Sequence, residues 1–322
     1  MRRDVAHLTA ELIDDRQPFV VGTVVWRRGP SSGKLGAQIV VLPDGTVRGW
    51  LGGACAEPTV VREALAALED GHPRLMLLGP ADEIGGGHRN GVTLVPMACE
   101  SEGAMEVYLE PMLPQPHVVV VGRSPAVDTL ARLAEQLGWR ATVVDDGGDP
   151  RDHPGVTSFV SSLDFSGLEI DGRSFIVVAT QGHYDEASLK AALATDAAYV
   201  GLVASRKRAS AVIEFLRTSG VGDEELTRVT APAGLDLGSI EHDEMAVAIL
   251  AELVAVKAQG GLMGGIKIQV PEVAVDPVCH MDVGIQDAKY ISQFDDDTYY
   301  FCAAGCRKAF DADPHSFLSD AK

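Results

Sequence analysis

The chain has 322 residues, 46% of them hydrophobic, and a formal net charge of −19 at pH 7. This length predicts about two domains, and so acidic a chain is not expected to bind nucleic acid or anionic lipid through general electrostatic attraction. No apolar run reaches the ~18 residues of a membrane-spanning helix, and the N-terminal segment lacks the apolar stretch of a signal peptide. Five cysteines, clustered towards the C-terminus, do not fit a disulfide framework and favour a reducing cytoplasm.

The first hundred residues predict a mixed α/β domain with several glycine-rich loops. Residues 4–17 predict a helix, whose apolar stripe consists of Val5, Leu8, Leu12 and Ile13. FVVGTVVWRRG predicts a strand, and AQIVVLPDGTVRGW predicts two strands joined by a turn at Asp44. The glycine-rich loops indicate close approach of the backbone to another group, although ordinary turn chemistry explains at least one of them.

The stretch GWLGGACAE, with the helix that follows it, is the most informative part of this domain. A helix is predicted over residues 57–70, because Pro58 suits a first turn and apolar residues recur at helical spacing, namely Val60, Val61, Ala64, Leu65 and Leu68. Cys55 then lies near a helix N-terminus, where the dipole and free N–H groups favour an anion or a thiolate. A small buried cysteine in a tight turn is the alternative interpretation.

From residue 114 the pattern changes to alternating strands and helices. HVVVVGRSPAVDTLARLAEQLGWRATVVDD begins with the strand, turn, helix and strand of a nucleotide-binding fold. Val118–Val121 is predicted to be a buried parallel strand, with Ser124 as the N-cap of the following helix. Because the alternation continues, the sheet is predicted to be mostly parallel, with ligands beyond the carboxyl ends of its strands.

The glycine fingerprint of dinucleotide binding is incomplete in this segment. Gly122 occupies its first position, but Ser124 and Val127 stand where the second and third glycines are expected. Asp145 ends the second strand, near the place where an acidic residue meets a ribose hydroxyl. The missing glycines argue against ordinary binding of NAD or NADP.

Two polar segments are expected at the carboxyl edge of this sheet. In the first, His183 and Asp185 form an acid–base pair if the chain is a nicotinamide-dependent oxidoreductase. The second places three positive charges at a helix start, against the helix dipole, in the run Ser205, Arg206, Lys207 and Arg208. An anionic ligand would remove this conflict. A solvated patch, paired with nearby carboxylates, is the alternative interpretation.

Several segments, in the same order, carry a resemblance to a known family: VGTVVWRRGPSSGKLGAQIVV, GWLGGACAEPTVVREAL, EVYLEPM, YVGLVASRKR and APAGLDLGSIEHDEMAVAILAELVA. Through them, residues 1–258 resemble the XdhC/CoxI/CoxF family of molybdoenzyme maturation factors. The resemblance implies that the chain binds the molybdenum cofactor, protects it, and helps to insert it into an enzyme of the xanthine dehydrogenase or carbon monoxide dehydrogenase type. Cys55 falls at the cysteine of the family's Gly-Gly-x-Cys segment.

The expected cofactor-binding residues combine this resemblance with the two polar segments: Gly52, Gly53, Cys55, Glu57, Gly122, Ser124, Asp145, His183, Ser205, Arg206, Lys207 and Arg208. The sequence departs from the family at three places. Arg123–Pro125 stands where Ala-Gly-His is common, Gln181–His183 replaces an Asn/His-rich stretch, and CES at Cys99 replaces Cys-Gly-Gly. These departures concern the nucleotide half of the site more than the Cys55 half, and they suggest a CoxF-like branch.

The C-terminal tail, DPVCHMDVGIQDAKYISQFDDDTYYFCAAGCRKAFDADPHSF, resembles a YHS domain over residues 276–317. If a helix begins at Cys302, Cys302 and Cys306 lie on one face of it, and Cys279 and His280 are expected to fold back over them. Three thiolates, with His280 as an optional fourth ligand, suit zinc or copper(I). Zinc would indicate a structural staple, and copper the assembly of a molybdenum–copper centre. A small reduced core without metal is the alternative.

We therefore predict an α/β protein with an N-terminal mixed α/β domain over residues 1–113 and a Rossmann-like parallel-sheet domain over 114–259. A flexible linker over 260–273 and a small cysteine-rich YHS domain over 274–322 complete it. The predicted function is that of a molybdenum-cofactor-binding maturation factor without turnover of its own, and a NAD(P)-dependent oxidoreductase is the alternative. The expected partners are a molybdenum hydroxylase apo-enzyme, a sulfurase, and a second copy of the chain in a homodimer.

Overall fold

The computed structural model describes residues 3–29, 33–52, 56–80, 91–96, 103–262, 266–286 and 288–318. The chain divides into two compact units: Met1–Pro114 together with Ile266–Lys322, and Gln115–Gly265. The predicted fold class is confirmed, since one unit contains a mixed sheet and a small cysteine-bearing module, and the other a parallel sheet. Among the described helices, none combines the length and the apolar character needed to cross a membrane.

The first unit is built on a mixed sheet with the strand order β3-β2-β1-β6-β4-β5. Neighbouring strands are antiparallel except β4 and β5, which are parallel. The elements of this part are α1 (Arg3–Asp14), β1 (Phe19–Arg28), β2 (Gln38–Val41), β3 (Val47–Gly49), α2 (Glu57–Asp70), β4 (Arg74–Gly79), β5 (Val92–Pro96) and β6 (Ala104–Met112).

Helix α2 has the predicted bounds and covers the core face of this sheet. The five apolar residues that predicted it, Val60, Val61, Ala64, Leu65 and Leu68, are all 6% exposed or less. Burial of a leucine side chain stabilises a fold by roughly 1.5–3 kcal/mol, so this face anchors the helix and the loop that leads into it. The helix ends at Gly71, which adopts a left-handed φ of 70°.

Helix α1 differs from its prediction in length and in one core residue. It ends at Asp14 rather than at residue 17. Arg16, in the turn that follows the helix, adopts a φ of 57°. Val5 is buried, but Ile13 is 54% exposed. The physical reason is that consecutive helical residues are rotated by about 100°, so Ile13 cannot share the face of Leu12 and Val5.

The second unit is a parallel sheet with the strand order β12-β11-β10-β7-β8-β9. This is the order of doubly wound nucleotide-binding sheets, in which the crevice for ligands lies where the order reverses, here between β7 and β10. Its elements are β7 (His117–Val121), α3 (Pro125–Gln136), β8 (Arg140–Val144), a 3₁₀ turn (Pro150–Asp152), β9 (Phe159–Val160), β10 (Ser174–Val178), α4 (Asp185–Leu193), β11 (Tyr199–Leu202), α5 (Arg206–Thr218), α6 (Asp223–Leu226), β12 (Val229–Thr230) and α7 (His242–Ala258).

Gly122 is required by packing at this switch point. It follows β7 with a φ of +132°, and a Cβ atom there would lie 2.3 Å from the carbonyl oxygen of Ala179, which follows β10. Ser124 is the N-cap of α3, as predicted, with Pro125 as the first helical residue, but its side chain makes no capping hydrogen bond. Gly122, the one glycine of the fingerprint that is present, thus allows the loop after β7 to pack closely against the loop after β10.

The tail of the first unit consists of two small antiparallel pairs and two helices. They are β13 (Val273–Val275) with β14 (Asp282–Gly284), β15 (Tyr290–Phe294) with β16 (Asp297–Phe301), α8 (Ala304–Ala312) and α9 (His315–Leu318). Its core is aromatic, with Phe301 and Phe310 both 1% exposed and 5.1 Å apart between ring centroids. The backbone N–H of Gln269, within the predicted linker, bonds the carbonyl of Pro43 at 2.8 Å.

Candidate ligand sites at the sheet edge and in a thiol cluster

The predicted cofactor residues of the first unit are only partly described. Gly53 and Cys55 lie outside the described residues, and so does Cys99. Gly52 is buried with a φ of 100°, and it lines a small cavity together with Glu57, the exposed first residue of α2. The structure therefore brings Gly52 and Glu57 together beside the start of this helix.

Asp145 is the centre of a hydrogen-bonded network at the carboxyl end of β8. Its carboxylate is fully buried and accepts a bond from the Tyr184 hydroxyl at 2.7 Å. Arg123 binds both oxygens, with Nη2 3.1 Å from Oδ1 and Nε 2.9 Å from Oδ2. Burial alone would raise the pKa of Asp145, but the hydrogen bonds from Tyr184, Arg123 and His153 outweigh it and hold that pKa below its ordinary value.

His153 extends the network to a second carboxylate. Its Nε2 lies 3.4 Å from Oδ2 of Asp145, and its Nδ1 lies 2.6 Å from Oδ1 of Asp128 on α3. The ring is 4% exposed and packs against Phe159. Sequence reasoning did not find His153, because it follows an irregular turn and no spacing relates it to its two acidic partners.

The position expected to meet a ribose is thus occupied by the chain's own side chains. A carboxylate offers about four acceptor sites, and Asp145 uses them on Arg123, Tyr184 and His153. Of these three partners, Arg123 is the accessible one, with a side chain that is 55% exposed. A ribose hydroxyl that bonded Asp145 would have to compete with these three side chains.

The basic run at the start of α5 separates into two parts. Ser205 caps the helix by accepting the backbone N–H of Arg208 at 3.3 Å. The Arg208 guanidinium is paired with Asp185 and Glu186, both at 3.1 Å. The side chains of Arg206 and Lys207 are exposed and form no ion pair within the described part of the chain. Of the three cations in this run, all of them described, Arg206 and Lys207 are thus the exposed ones.

His183 and Asp185 are not arranged as an acid–base pair. His183 is exposed, whereas Asp185 is 1% exposed and accepts bonds from Thr180 and from Arg208 Nε. No hydrogen bond joins the side chains of His183 and Asp185, both of which the structure describes. The Asp185 carboxylate instead holds Arg208 beside the loop that follows β10.

Three cysteines of the tail form a thiol cluster, as the sequence predicted. Cys302 is the central member, with its Sγ 3.5 Å from that of Cys279 and 3.7 Å from that of Cys306. The premise of a helix beginning at Cys302 was wrong, because α8 begins at Ala304. Cys302 instead directly follows β16, at the start of a two-residue bend, and its sulfur lies 3.7 Å from that of Cys306 in the first turn of α8.

Asp276 is a fourth group of this cluster that sequence reasoning missed. Its carboxylate is fully buried, and a ligand atom from each of the four residues lies within 4.8 Å of the others. Oδ1 accepts the backbone N–H of Val278 and Oδ2 that of Cys302, both at 2.9 Å. An Asp-Pro pair three residues before a cysteine is the signal that could have indicated it. His280 is exposed, with a φ of 59°, and does not join the cluster.

The electrostatics of the thiol cluster favour a cation. Burial raises the pKa of Asp276, but the hydrogen bonds from the backbone N–H groups of Cys302 and Val278 lower it by more. The pKa therefore lies below its ordinary value, and the carboxylate stays ionised. The hydrogen bond from Cys302 lowers the pKa of Cys279. Burial and the Asp276 charge raise the pKa of Cys306 to about 12. A soft ion such as zinc or copper(I) would compensate the Asp276 charge and favour ionisation of the thiols, and the donor set suits it.

Comparisons with known proteins match both units. Residues 12–79 match the model of the XdhC and CoxI family, residues 118–253 that of the XdhC Rossmann domain, and residues 274–321 that of the YHS domain. The uncharacterized protein YqeB of Escherichia coli (strain K12) is 32% identical over 263 residues, which are 79% of this chain and 47% of YqeB. The present chain thus spans about half the length of that relative.

Two further similarities are weaker. The molybdenum cofactor insertion chaperone PaoD of Escherichia coli (strain K12) is 24% identical over 291 residues, or 79% of this chain and 88% of PaoD. The crystal structure of a xanthine dehydrogenase from Bacillus halodurans covers 78% of this chain and 95% of its own, at 18% identity and a TM-score of 0.39. A TM-score of this size supports no further inference.

Proposed function

Because this chain belongs to the XdhC and CoxI family and ends in a YHS domain, we propose that it binds the molybdenum cofactor and helps to insert it into a molybdenum hydroxylase. The observation that carries the proposal is the match of both family models, in order, to the two units. The similarity to a molybdenum cofactor insertion chaperone supports it. The proposed partners are the apo-hydroxylase, of the xanthine or carbon monoxide dehydrogenase type, a sulfurase, and a second copy of this chain.

We assign the anionic end of the cofactor to Arg206 and Lys207. Their exposure supports this assignment, as does the absence of an ion pair for either in the described part of the chain, whereas Arg208 is held by two carboxylates. Both lie at the carboxyl edge of the parallel sheet, after β11. Cys55 is proposed to contact or protect the molybdenum end. The other residues proposed to line the site are Gly52, Gly53, Glu57, Gly122, Ser124, Asp145, His183 and Ser205.

The basic pair is tested by neutralising both of its members. We expect Arg206→Gln with Lys207→Gln to weaken cofactor binding by roughly thirtyfold at low salt, since each cation near a phosphate contributes on the order of 1 kcal/mol and 1.4 kcal/mol corresponds to about tenfold. The difference should shrink with added salt, because screening acts over ~10 Å at 0.1 M. Lys190→Gln with Arg217→Gln is the matched control, with the same change in net charge. Equal affinity of the two double variants at every salt concentration would contradict the assignment.

The role of Cys55 is tested by cofactor retention. The chain and its Cys55→Ser variant are purified from a molybdate-replete host, and released molybdenum and pterin are quantified. We expect the variant to fold normally but to retain little cofactor. Cys306→Ser, which removes a thiol from the tail, should retain it in full. Undiminished cofactor and normal activation of the target hydroxylase by Cys55→Ser would refute the proposal for this residue.

A NAD(P)-dependent oxidoreductase is the second candidate, because the strand order of the parallel sheet is that of nucleotide-binding folds. The engagement of Asp145 by Arg123 weighs against it, as does the missing link between His183 and Asp185. Calorimetric titration of NAD and NADP into the purified chain distinguishes the two functions. Saturable binding accompanied by turnover would favour the oxidoreductase.

For the tail, we propose that Cys279, Cys302 and Cys306 bind zinc or copper(I). The spacing of the sulfurs and the ionised Asp276 behind them support this. A structural zinc should be stoichiometric in reduced, purified protein, and its chelation should unfold the tail. A delivered copper should instead exchange to an added thiol acceptor. A folded tail that holds no metal under reducing conditions would refute both versions.

A further inference from the structure

A pocket of about 540 Å³ lies between helix α2 and the tail within the first unit. One wall is the start of α2 and the turn between β2 and β3; the other is β14, β15 and the turn between β16 and α8. Its lining is mainly apolar and includes Val47, Val61 and Val283, with the aromatic residues Tyr290 and Phe301. Four charged residues also line it, namely Glu57, Arg62, Asp282 and Lys289. This volume and lining are typical of sites for small organic ligands.

The pocket is held open by fixed contacts between its two walls. The Asp282 carboxylate, on β14, accepts a hydrogen bond from the Thr59 hydroxyl at 3.1 Å and forms an ion pair with Arg62. Thr59 is 6% exposed, so this contact is shielded from water. Ile268 packs against the core of the mixed sheet, and Pro271 packs on Gly45, where a Cβ would lie 2.5 Å from its ring. The two walls are therefore in place before any ligand arrives.

The pocket meets the thiol cluster at Cys302. Of the three cysteines, Cys302 lines the pocket, and it is also the sulfur that lies close to both others. Each oxygen of Asp276 accepts one backbone N–H group, which ties the carboxylate to the backbone behind the sulfurs. An open site requires that the three sulfurs, and not this carboxylate, ligate the ion. A tetrahedral ion held by three ligands keeps a fourth position for an external one.

We propose that this pocket binds a small organic thiolate with an apolar, aromatic body, whose sulfur completes the coordination of the metal ion held by the three cysteines. A thiolate is the donor that a soft ion already bound by sulfur prefers, and the aromatic body is what the lining of valine, tyrosine and phenylalanine accommodates. The inference rests on the proposed metal binding by the tail. It adds that this metal centre is open towards α2, rather than a closed structural site.

Gly284 provides a variant that fills the pocket without disturbing its walls. It lines the pocket, has an ordinary φ, and a Cβ added to it would meet no heavy atom within 4 Å. Gly167, in the other unit, also has an ordinary φ and open space around an added Cβ, but it does not line this pocket. Gly284→Leu and Gly167→Leu are therefore a matched pair, in which the same side chain is added inside and outside the pocket.

The test uses the reduced full chain loaded with cobalt(II), whose visible and near-ultraviolet absorption reports its sulfur ligands. Benzenethiol and the smaller 2-mercaptoethanol are titrated, and cobalt content is measured after desalting. We expect benzenethiol to change the cobalt spectrum saturably. Gly284→Leu should raise its half-saturation concentration by about tenfold or more, as the loss of apolar contacts predicts. Gly167→Leu should leave that concentration unchanged, and the response to 2-mercaptoethanol should be the same in all three proteins.

Three results would overturn the inference. An unchanged spectrum with cobalt still bound would mean a closed site, and the proposed metal binding would survive. Equal affinities of the Gly284→Leu and Gly167→Leu variants for benzenethiol would mean that the thiol reaches the metal from solvent. Failure of the reduced chain to bind cobalt at all would remove the proposed metal binding together with the open site.

Discussion

Asp145→Asn should destabilise the parallel-sheet unit strongly, although the side chain keeps its shape. The carboxylate is fully buried and accepts bonds at both oxygens, from Tyr184, His153 and Arg123. Asparagine keeps one acceptor, so the bonds at the other oxygen are lost and those that remain are no longer charge-assisted. Hydrogen bonds to charged groups contribute about 1.5–3 kcal/mol each, so we expect a loss of roughly 2–4 kcal/mol for the bonds that Tyr184 and His153 make.

The assay is thermal unfolding followed by circular dichroism, with Asp146→Asn as the control. Asp146 is the next residue along the chain and is exposed. For a unit of this size, 1 kcal/mol shifts the melting temperature by about 2–4 °C. We therefore expect Asp145→Asn to lower it by roughly 5–15 °C, and Asp146→Asn to leave it unchanged.

The same substitution predicts a pH dependence with a definite sign. The pKa of Asp145 in the folded protein lies below its ordinary value of 3.8. The stabilisation of the fold by the ionised Asp145 carboxylate is therefore fully present above pH 3.8. It is lost as the pH falls through the lower, folded-state value. The stability difference between the parent and Asp145→Asn should accordingly be constant near neutrality and shrink under acid. Equal melting temperatures of the two proteins at pH 7, or a difference that grows below pH 4, would refute the reasoning.

Three further predictions follow from single contacts. Arg123→Ala should expose the Asp145 carboxylate and allow weak NAD binding that the parent lacks, measured by calorimetry; no gain would mean that Arg123 does not close this site. Asp282→Ala should weaken docking of the tail by about 1–2 kcal/mol through loss of the Thr59 bond, seen as faster amide exchange in β14, and unchanged exchange would contradict it. Phe310→Ala should cost about 3–5 kcal/mol and unfold the tail, measured by amide exchange in β15 and β16, and unchanged exchange there would count against an aromatic core that positions the thiols.

Local patterns predicted the elements that frame the candidate sites. The helix over residues 57–70 was correct in both bounds, because its apolar face repeats at the helical period and Gly71 provides a left-handed stop. Strand β7 was equally clear, since a parallel strand buried on both faces is a continuous apolar run. The thiol cluster was found because sulfur ligands are few and their chemistry is specific.

The partners of the charged and polar groups could not be predicted in the same way. Asp276 lies 26 positions before the Cys302 amide that it binds, and no repeat relates the two. His153 meets acids from α3 and from the end of β8. Of three adjacent cations, Arg208 alone turns to Asp185 and Glu186, which belong to another helix.

The sequence by itself determined the helices, the parallel strands, the family and the cysteines of the thiol cluster, since each depends on the order of neighbouring residues or on a residue type with a narrow chemistry. The tertiary structure alone decided that Arg123 pairs with Asp145, that Arg208 rather than Arg206 or Lys207 pairs with Asp185, and that the tail docks on α2 through Asp282. The physical reason is that charges interact through space. Their partners are set by how the elements pack, and the sequence pattern does not encode that packing.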